Sequence, residues 1–486
     1  MRGAKRHNVE MADRLRAYRA KRDLDRTPEP AGGDGGGRPA ESGGRFVIQE
    51  HHASHLHWDL RLERDGALAS WALPKGVPGH PEENRLAVRT EDHPLEYLSF
   101  EGEIPKGSYG AGTMHVWDRG DYECEKFRDD EVIVTLKGER VGGRYALFQT
   151  RGKNWMIHRM DPPADPTAEP MPETVAPMLA KLGPLPADDD AFGYEIKWDG
   201  VRVVAHVDAG HVTLTGRNGT DFTPRYPEVR GLGDALGSRR LILDGEVVAL
   251  DVQGRPSFER LQSRMHLASP SAVKRRTRDI PVTYMAFDLL WLGGHSTLAL
   301  PYRERRRLLA GLDLLGPAWR APAHREGEGR ALLDASKQQD LEGIVAKRLD
   351  SPYEPGRRSA SWIKVKNHAA QDVVVGGYTP GEGGRARSLG ALCVGVQEDG
   401  RLKYAGKVGT GFTQHTLGTV LSELQSLERE DSPFDGRQPP RGTRFVEPRL
   451  VARVEFREWT RAGTLRAPAF KGLRDDVDPA DVVRET

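Results

Sequence analysis

The chain has 486 residues, a length that predicts two or three compact domains joined by exposed linkers. Its 72 basic and 71 acidic residues leave a formal net charge of +1, so bulk charge argues for a nucleic-acid partner only if the basic groups are gathered in a groove. The two distant cysteines exclude a disulfide framework and fit a reducing cytoplasm. No run of ~20 apolar residues and no apolar signal core is present, so we expect no membrane span and no secretory signal.

The first part of the chain is predicted to be an arm followed by a β domain. Residues 1–44 combine a basic stretch that can form a helix with the string AGGDGGGRPAESGG, whose glycines predict a flexible tether. From 45 to 160, short apolar alternations are broken by Gly and Pro (PKGVPG, IPKGSYGAGT), which is typical of a compact β-barrel-like domain. The Pro-rich stretch 161–177 is expected to be an extended, poorly packed linker.

Two further domains are predicted after this linker. Residues 178–368 mix strand patterns such as LILDGEVVAL with helical segments such as PYRERRRLLAGL, which indicates an α+β domain. Residues 369–486 return to short strands with one helix near 413–427, a spacing that suits a small β-barrel. The sequence therefore predicts a multidomain protein.

The string QEHHASHLHWDLRLE at 49–63 alternates between apolar and polar residues. Strand periodicity places His57, Asp59, Arg61 and Glu63 on the face opposite the leucines and Trp58. An imidazole beside a carboxylate is a mixed N and O donor set that suits Mn or Zn, and His51 can complete it. Arg61 would then stabilise a phosphate bound next to the metal. The alternative is a half-exposed strand with an ordinary solvated polar face.

The segment EIKWDGVR at 195–202 places Lys197 at the end of a β-like run, before Asp199 and Gly200, which can turn the chain and leave the amine exposed. Such an amine can attack the α-phosphate of a nucleotide if nearby cations keep it deprotonated. A surface lysine is the alternative, because K-x-D-G alone is a weak signal. The order of five later motifs argues against chance: GRNG at 216–219, DGE at 244–246, YMAFDLL at 284–290, EGIVAK at 342–347 and WIKVK at 362–366.

These motifs resemble the covalent nucleotidyltransferases, specifically the ligase module of bacterial and archaeal ligase D, over about residues 176–480. The resemblance implies a lysyl-AMP at Lys197 and roles for six further residues: adenine recognition by Glu195, base stacking by Phe287, a ribose or metal contact by Glu246, a metal contact by Glu342, and an α-phosphate grip by Lys364 and Lys366.

Three assignments keep an alternative. Arg202 and Arg217 suit phosphate or ribose recognition through their forked donors, but they are also consistent with ordinary surface arginines. Phe287 is alternatively a core residue, and the two lysines a solvated strand face.

The segment TLRAPAFKGLRDD at 464–476 resembles the last ligase motif, whose cations orient the leaving pyrophosphate. The resemblance points to Arg466, Lys471 and Arg474, on an OB-fold domain that closes about a hinge near 367–371.

Residues 85–120, together with the 49–63 string, resemble the 3′-phosphoesterase module of ligase D, over about residues 10–160. Carried over by position, His51, His57 and Asp59 are the implied Mn ligands. The implied phosphate-contacting or acid/base residues are Arg61, Arg85, His93 and Tyr97, and the arm residues that match are Arg22, Asp23 and Glu29. His55 stands where relatives often have Arg, and it is not assigned as a ligand.

The resulting hypothesis is a DNA repair enzyme of non-homologous end joining that heals 3′ ends and then seals 5′-phosphate/3′-hydroxyl breaks. It implies ATP, Mg2+ or Mn2+ for the ligase, Mn2+ for the phosphoesterase, and double-stranded DNA with nicks or breaks. A Ku-type end-binding protein and a separate polymerase are the expected partners, with a cytoplasmic, nucleoid-associated location. Two alternatives remain: an RNA ligase or other covalent nucleotidyltransferase, such as a capping guanylyltransferase, and a non-catalytic scaffold that binds DNA ends.

Overall fold

The computed structural model describes residues 14–24, 26–32, 43–163, 165–265, 267, 269–367, 369–381 and 388–485. Most of the predicted tether (33–42) and the first 13 residues lie outside this description. Residues 14–24 carry a short helix, α1 (Arg16–Ala20), whose Tyr18 is buried. The described part of the arm is therefore packed against the protein.

Residues 43–159 form a closed barrel. All pairings are antiparallel in the order β1-β2-β3-β4-β9-β8-β7-β6, β1 also pairs with β6, and β5 extends the sheet beyond β6. The strands are β1 (Gly43–His52), β2 (Leu56–Arg64), β3 (Ala67–Leu73), β4 (Asn84–Arg89), β5 (Gly102–Ile104), β6 (Gly112–Phe127), β7 (Glu131–Gly138), β8 (Gly142–Arg151) and β9 (Asn154–Arg159). Closure leaves no free edge between β1 and β6.

The strand β2 shows the predicted alternation, with Trp58 and Leu60 in the barrel core. Its opposite face is also buried: Asp59 is 6% and Arg61 2% exposed. Tyr18 of α1 and Tyr97 of the 3-10 turn Leu95–Leu98 belong to a second apolar cluster beside the barrel. The strand β2 is therefore not half-exposed, because the arm and the 3-10 turn cover the face that points away from the barrel core.

The central domain (179–366) contains two β-sheets whose facing sides share one apolar cluster. One sheet has the order β10-β20-β19-β11-β18, the other β13-β12-β14-β15-β16 with β17 on β15. The strands are β10 (Leu179–Leu182), β11 (Phe192–Ile196), β12 (Val201–Asp208), β13 (His211–Gly216), β14 (Arg240–Ala249), β15 (Val282–Leu292), β16 (His295–Ser296), β17 (Trp319–Arg320), β18 (Arg325–Glu326), β19 (Gly343–Arg348) and β20 (Arg358–Lys366). The helices are α2 (Gly231–Leu236), α3 (Phe258–Met265), α4 (Pro270–Asp279), α5 (Tyr302–Ala310) and α6 (Gly329–Gln338).

The OB-like domain (369–485) is a sheet of the order β23-β22-β21-β25-β24, with β26 on β25. Its strands are β21 (Ala369–Pro380), β22 (Leu389–Glu398), β23 (Arg401–Val408), β24 (Glu428–Arg429), β25 (Arg444–Phe456) and β26 (Ala469–Arg474). The helix α7 (Gln414–Gln425) begins at a Thr413 capping box and matches the predicted helix. The described helices are all too short or too polar to cross a membrane.

The first barrel contacts the central domain directly. Leu56 of β2 packs on the β12–β13 turn, where a Cβ at Gly210 would lie 2.6 Å from the Leu56 Cδ2 atom. The Asp208 carboxylate accepts a hydrogen bond from Arg240 at 2.8 Å and lies 3.4 Å from the Arg85 Nη2 atom. The stretch between the domains is extended as expected but not unpacked, since Met171 and Val175 lie against the central core.

Candidate active sites

Two imidazoles and a carboxylate meet on the β1–β2 hairpin and form what we call the His-Asp cluster: His51, His57 and Asp59. Antiparallel pairing places His51 opposite His57, and the three ligand atoms lie within 4.8 Å of one another. The His51 Nδ1 atom is 3.7 Å from the Asp59 carboxylate, and the His57 Nε2 atom is 3.9 Å from it. The buried His51 Nε2 atom has no hydrogen-bond partner among the described residues. This N2O donor set fits a divalent transition metal.

The Arg61 guanidinium lies beside the cluster and is held by three hydrogen bonds. It donates to Asp59 at 2.9 Å, to Gln49 at 2.7 Å and to Ser70 at 3.1 Å. Burial tends to raise the pKa of the Asp59 carboxyl, but Arg61 and the two imidazoles hold this pKa well below its usual range. The cluster therefore presents an ionised carboxylate and a fixed cation on one strand face.

His93 and Tyr97 reach the same region through the arm. The His93 ring lies between two partners: its Nδ1 atom is 2.8 Å from the Glu91 carbonyl, and its Nε2 atom is 3.2 Å from the Arg22 guanidinium. Burial, with Arg61 and Arg22 nearby, lowers the pKa of His93 well below its usual value, so the ring is neutral. Arg22 also bonds Glu29 at 2.6 Å, and Glu29 accepts from the Tyr97 hydroxyl.

Three residues considered at the sequence level are not brought to the cluster. Arg85 donates to Glu83 and faces Asp208 of the central domain, because it lies on β4, two strands from β2. Asp23 is exposed on the arm. His55 lies in the exposed bend before β2, and its carbonyl contacts the His57 ring at 3.0 Å.

A cavity of about 220 Å³ lies between the two central sheets and the OB-like domain, and we call it the central cavity. Lys197 enters it directly after β11, with a backbone N–H bonded to Gly343 at 2.9 Å. The chain then turns through Gly200, where a Cβ would lie 2.2 Å from the Val247 carbonyl oxygen. The sequence predicted an exposed amine, but the Lys197 side chain is only 18% exposed, and its amine bonds the Glu342 carboxylate.

One wall of the central cavity is aromatic and contains a buried ion pair. Phe287 is 6% exposed and lies with Trp362 around the Lys347 ammonium, which is 4.3 Å from each ring centroid. That ammonium is 2.8 Å from the Glu195 carboxylate, which also accepts from Tyr302. Phe287 is thus part of the apolar core and of the cavity wall, so the two interpretations of this residue are compatible.

Lys364 and Lys366 of β20 line the cavity from the same strand face as Trp362, two and four residues further along the strand. Both amines contact the Glu485 carboxylate, Lys366 at 2.7 Å. Burial lowers the pKa of Lys364 to about 8, with Lys366 and Lys197 acting in the same direction. The cavity therefore contains a compact group of ammonium ions suited to phosphate oxygens.

Carboxylates lie close to this cationic group. Burial raises the pKa of Glu246 to about 7, against the opposing effect of Arg202 and Lys197. Burial also tends to raise the pKa of Glu342, but Arg453 and Lys197 hold it well below its usual value. Arg453, from β25 of the OB-like domain, bonds Glu342 and lies 3.8 Å from Asp199. Carboxylates so placed fit a hard divalent cation.

The remaining predicted cations are placed differently from one another. Arg202 bonds both oxygens of Asp244 and lies 4.5 Å from the Phe287 ring centroid, so its forked donors serve the protein itself. Arg217 and Arg474 line the central cavity. Arg466, however, is exposed and paired with Glu458.

Lys471 also stays outside the central cavity. It pairs with Glu455 at 3.1 Å and lines a neighbouring groove that includes Asp199 and Glu342. Of the residues assigned to the last motif, only Arg474 lines the central cavity in this conformation.

Several contributing residues went unassigned in the sequence. Lys347 ends the quoted EGIVAK motif, so its position was a usable signal. Gln49 and Ser70, which bond Arg61, and Arg453 carry no such signal, because their partners are distant in the chain.

Comparison with known families divides the chain into three matched regions. Residues 49–149 match the family described as DNA Ligase D 3'-phosphoesterase domain. Residues 177–366 match the ATP dependent DNA ligase domain, and residues 385–477 match the ATP dependent DNA ligase C terminal region. The first region contains the His-Asp cluster, and the second contains Lys197.

Curated relatives align with nearly the whole chain. The multifunctional non-homologous end joining protein LigD of Mycolicibacterium smegmatis is 45% identical over 98% of this chain, and that of Pseudomonas aeruginosa is 37% identical over 97%. The chain spans 62% of the length of each. A solved structure described as mycobacterial DNA ligase D complexed with ATP and MES is 39% identical, with 64% of this chain and 98% of that chain covered and a TM-score of 0.48.

Proposed function

This chain belongs to the ligase D family, and from that premise we propose that it is an ATP-dependent DNA ligase with a 3′-phosphoesterase on the same polypeptide. The observation that carries the proposal is the placement of Lys197 in a cavity that is also lined by the rings of Phe287 and Trp362 and by Lys364 and Lys366. An amine, a base-sized apolar surface and phosphate-binding cations are what nucleotidyl transfer to a lysine requires.

In the ligase reaction, the Lys197 nitrogen attacks the α-phosphorus of ATP, a P–N bond forms, and the P–O bond to pyrophosphate breaks. Glu342 accepts a hydrogen bond from the amine and so positions it, and the proton that the amine must lose before the attack passes to solvent. Lys364 and Lys366 stabilise the charge that develops on the phosphate oxygens. Glu246 and Glu342 would hold Mg2+ or Mn2+, which neutralises phosphate charge when bound. The AMP then passes to a DNA 5′-phosphate, which breaks the P–N bond and forms a pyrophosphate bond, and attack by a 3′-hydroxyl on that phosphate forms the phosphodiester and releases AMP.

In the phosphoesterase reaction, the His-Asp cluster would hold Mn2+, which neutralises the charge of a 3′-phosphate when bound. Arg61 stabilises the same charge from the next position on the strand face. Water attacks the phosphorus, the P–O bond to the 3′ oxygen breaks, and the leaving oxygen takes up the proton that the water releases. The neutral His93, fixed between the Glu91 carbonyl and Arg22, is placed to accept a hydrogen bond during this transfer. The product is the 3′-hydroxyl that sealing consumes, whether the end carries a phosphate or ribonucleotides.

The ligase proposal is tested by incubating the protein with labelled ATP, or with labelled GTP, and a divalent metal. We expect covalent AMP on the wild type, none on Lys197→Ala, and normal labelling of the exposed-lysine control Lys337→Ala. Labelling by GTP alone would indicate capping chemistry, and sealing of nicked RNA in preference to nicked DNA would indicate an RNA ligase. A wild type that gains no nucleotide yet binds DNA ends would support the scaffold alternative.

The phosphoesterase proposal is tested on a primer-template with a 3′-phosphate. His57→Ala should lose Mn2+-dependent phosphate release and Mn2+ binding while Lys197 is still adenylylated, and the exposed-histidine control His115→Ala should keep both activities. Loss of adenylylation together with phosphate release in His57→Ala would contradict two separate sites.

The names of the curated relatives support a place in non-homologous end joining. The proposal includes a cytoplasmic, nucleoid-associated location, because the DNA substrate lies there. We include a Ku-type end-binding protein and a polymerase acting on the same ends in the proposal. Co-sedimentation of this chain with Ku on blunt duplex ends tests the partnership, and equal recovery with and without Ku would count against it.

A further inference from the structure

Residues 478–485, which we call the tail segment, run along the mouth of the central cavity. Four of them line it: Asp481, Val482, Val483 and Glu485. The Val482 side chain is buried in the OB-like core, and its carbonyl accepts from the Gln397 backbone at 2.6 Å. The tail segment is therefore anchored to the OB-like domain at its middle.

The Glu485 carboxylate lies on the two lysines of β20. One oxygen accepts from Lys364, and the other is 2.7 Å from the Lys366 amine. These lysine side chains are 12% and 6% exposed, against 22% for Glu485, so the carboxylate enters the cavity from its more open side. Gln371 fixes the Glu485 backbone, accepting from its N–H at 3.1 Å.

A second carboxylate of the tail segment acts in the same way. Asp481 accepts from Arg217 at 2.7 Å, and Arg217 also lines the cavity. Three of the cations assigned to nucleotide or phosphate recognition are thus bonded to carboxylates of one eight-residue segment. Arginine and lysine side chains that hold a carboxylate present the same donors that hold a phosphate.

A carboxylate and a phosphate cannot occupy these donors together. Both are anions, and two anions held by the same two amines would repel each other at close range. The nearby lysines hold the pKa of Glu485 down at about 2 despite its burial, so the carboxylate is ionised at neutral pH. The contact is consequently present under the conditions in which ATP arrives.

We propose that the tail segment is an autoinhibitory plug, in which the Glu485 carboxylate occupies the phosphate position at Lys364 and Lys366 and must leave before ATP is bound productively. The proposal rests on the proposed function for the identity of the ligand. Withdrawing Glu485 requires movement only beyond Val482, which stays anchored in the OB-like core, whereas Arg217 is freed when the Asp481 side chain turns away. The plug lowers the apparent ATP affinity by the fraction of molecules in which it is withdrawn.

The plug is tested with Glu485→Gln, which keeps the size of the side chain and removes its charge. The ATP concentration that half-saturates adenylylation of Lys197 should fall at least about threefold, with the limiting rate unchanged. Glu430→Gln, an exposed glutamate outside the cavity, is the control and should behave as the wild type. Asp481→Asn should shift the same concentration in the same direction by a smaller factor.

Binding of inorganic tripolyphosphate, followed by calorimetry, separates the plug from the proposed function. Tighter binding by Glu485→Gln than by the wild type supports the plug even if neither protein is adenylylated, in which case the ligase proposal alone fails. Normal adenylylation with unchanged or weaker ATP and tripolyphosphate binding in both variants would overturn the plug and leave the ligase proposal standing.

Discussion

Replacing Lys347 by methionine tests the buried ion pair behind the aromatic wall of the central cavity. The lysine is 2% and its partner Glu195 3% exposed, and their charged atoms are 2.8 Å apart. Methionine keeps the length of the side chain and can pack against Phe287 and Trp362, but it leaves a buried carboxylate with less compensation.

Removing one partner of a buried pair typically costs about 3–5 kcal/mol. Here we expect the lower end, about 3 kcal/mol, because Arg306 lies 3.5 Å from the Glu195 carboxylate and Tyr302 still donates to it. That free energy corresponds to roughly a hundredfold change in an equilibrium constant. The loss of stability should be confined to the central domain, since Glu195 lies on its strand β11 and Lys347 on its strand β19.

Hydrogen exchange read on peptides from β11 and β19 measures this local stability. We expect amide exchange there to quicken by roughly a hundredfold in Lys347→Met and to stay as in the wild type in Lys337→Met, which alters an exposed lysine at the end of α6. Combining Lys347→Met with Glu195→Gln should cost at least ~1 kcal/mol less than the sum of the two single changes. Additive costs, or a single change of less than threefold, would refute the reasoning.

Two further predictions concern pH and the contact between domains. In metal-free protein, burial raises the pKa of Glu246 from 4.5 to about 7, so its contribution to stability is complete below about pH 4.5 and is lost as pH rises through 7. Glu246→Gln should remove that part of the pH dependence of the unfolding free energy measured in urea. Parallel plots of this free energy against pH for the two proteins from pH 5 to 8 would contradict the prediction. Asp208→Asn removes the carboxylate that Arg85 of the first barrel and Arg240 of the central domain share. Proteolysis between residues 161 and 177 should therefore become faster. An unchanged cleavage rate would show that the Arg85–Asp208 contact does not restrain the barrel.

Local periodicity accounts for what could be predicted about the first site. Residues two apart on a strand share a face, so His57, Asp59 and Arg61 had to lie side by side once β2 formed. The same rule cannot say which strands a barrel brings next to that face. Arg85 shows this limit, since its side chain meets Asp208 of another domain instead of the His-Asp cluster.

The second site shows the limit more strongly. The motif order located Lys197, Phe287, Lys364 and Lys366 around one cavity, because each motif ends or crosses a strand of the two central sheets. Glu485 is 119 residues from Lys366, and no periodic pattern links them. Arg466 and Lys471 depend on how the OB-like domain is turned, which no local sequence signal encodes.

The His-Asp cluster is built on one hairpin, with its two strands joined by a bend of only three residues between His52 and Leu56. Bringing its members together requires closing a very short loop, which costs little chain entropy. The central cavity instead draws its members from three sheets and from residues between Glu195 and Glu485, so it exists only after the domains have docked. During synthesis from the N-terminus, the His-Asp cluster should thus form well before the central cavity. Ribosome-bound chains that expose only the first barrel would already carry all three residues of the His-Asp cluster.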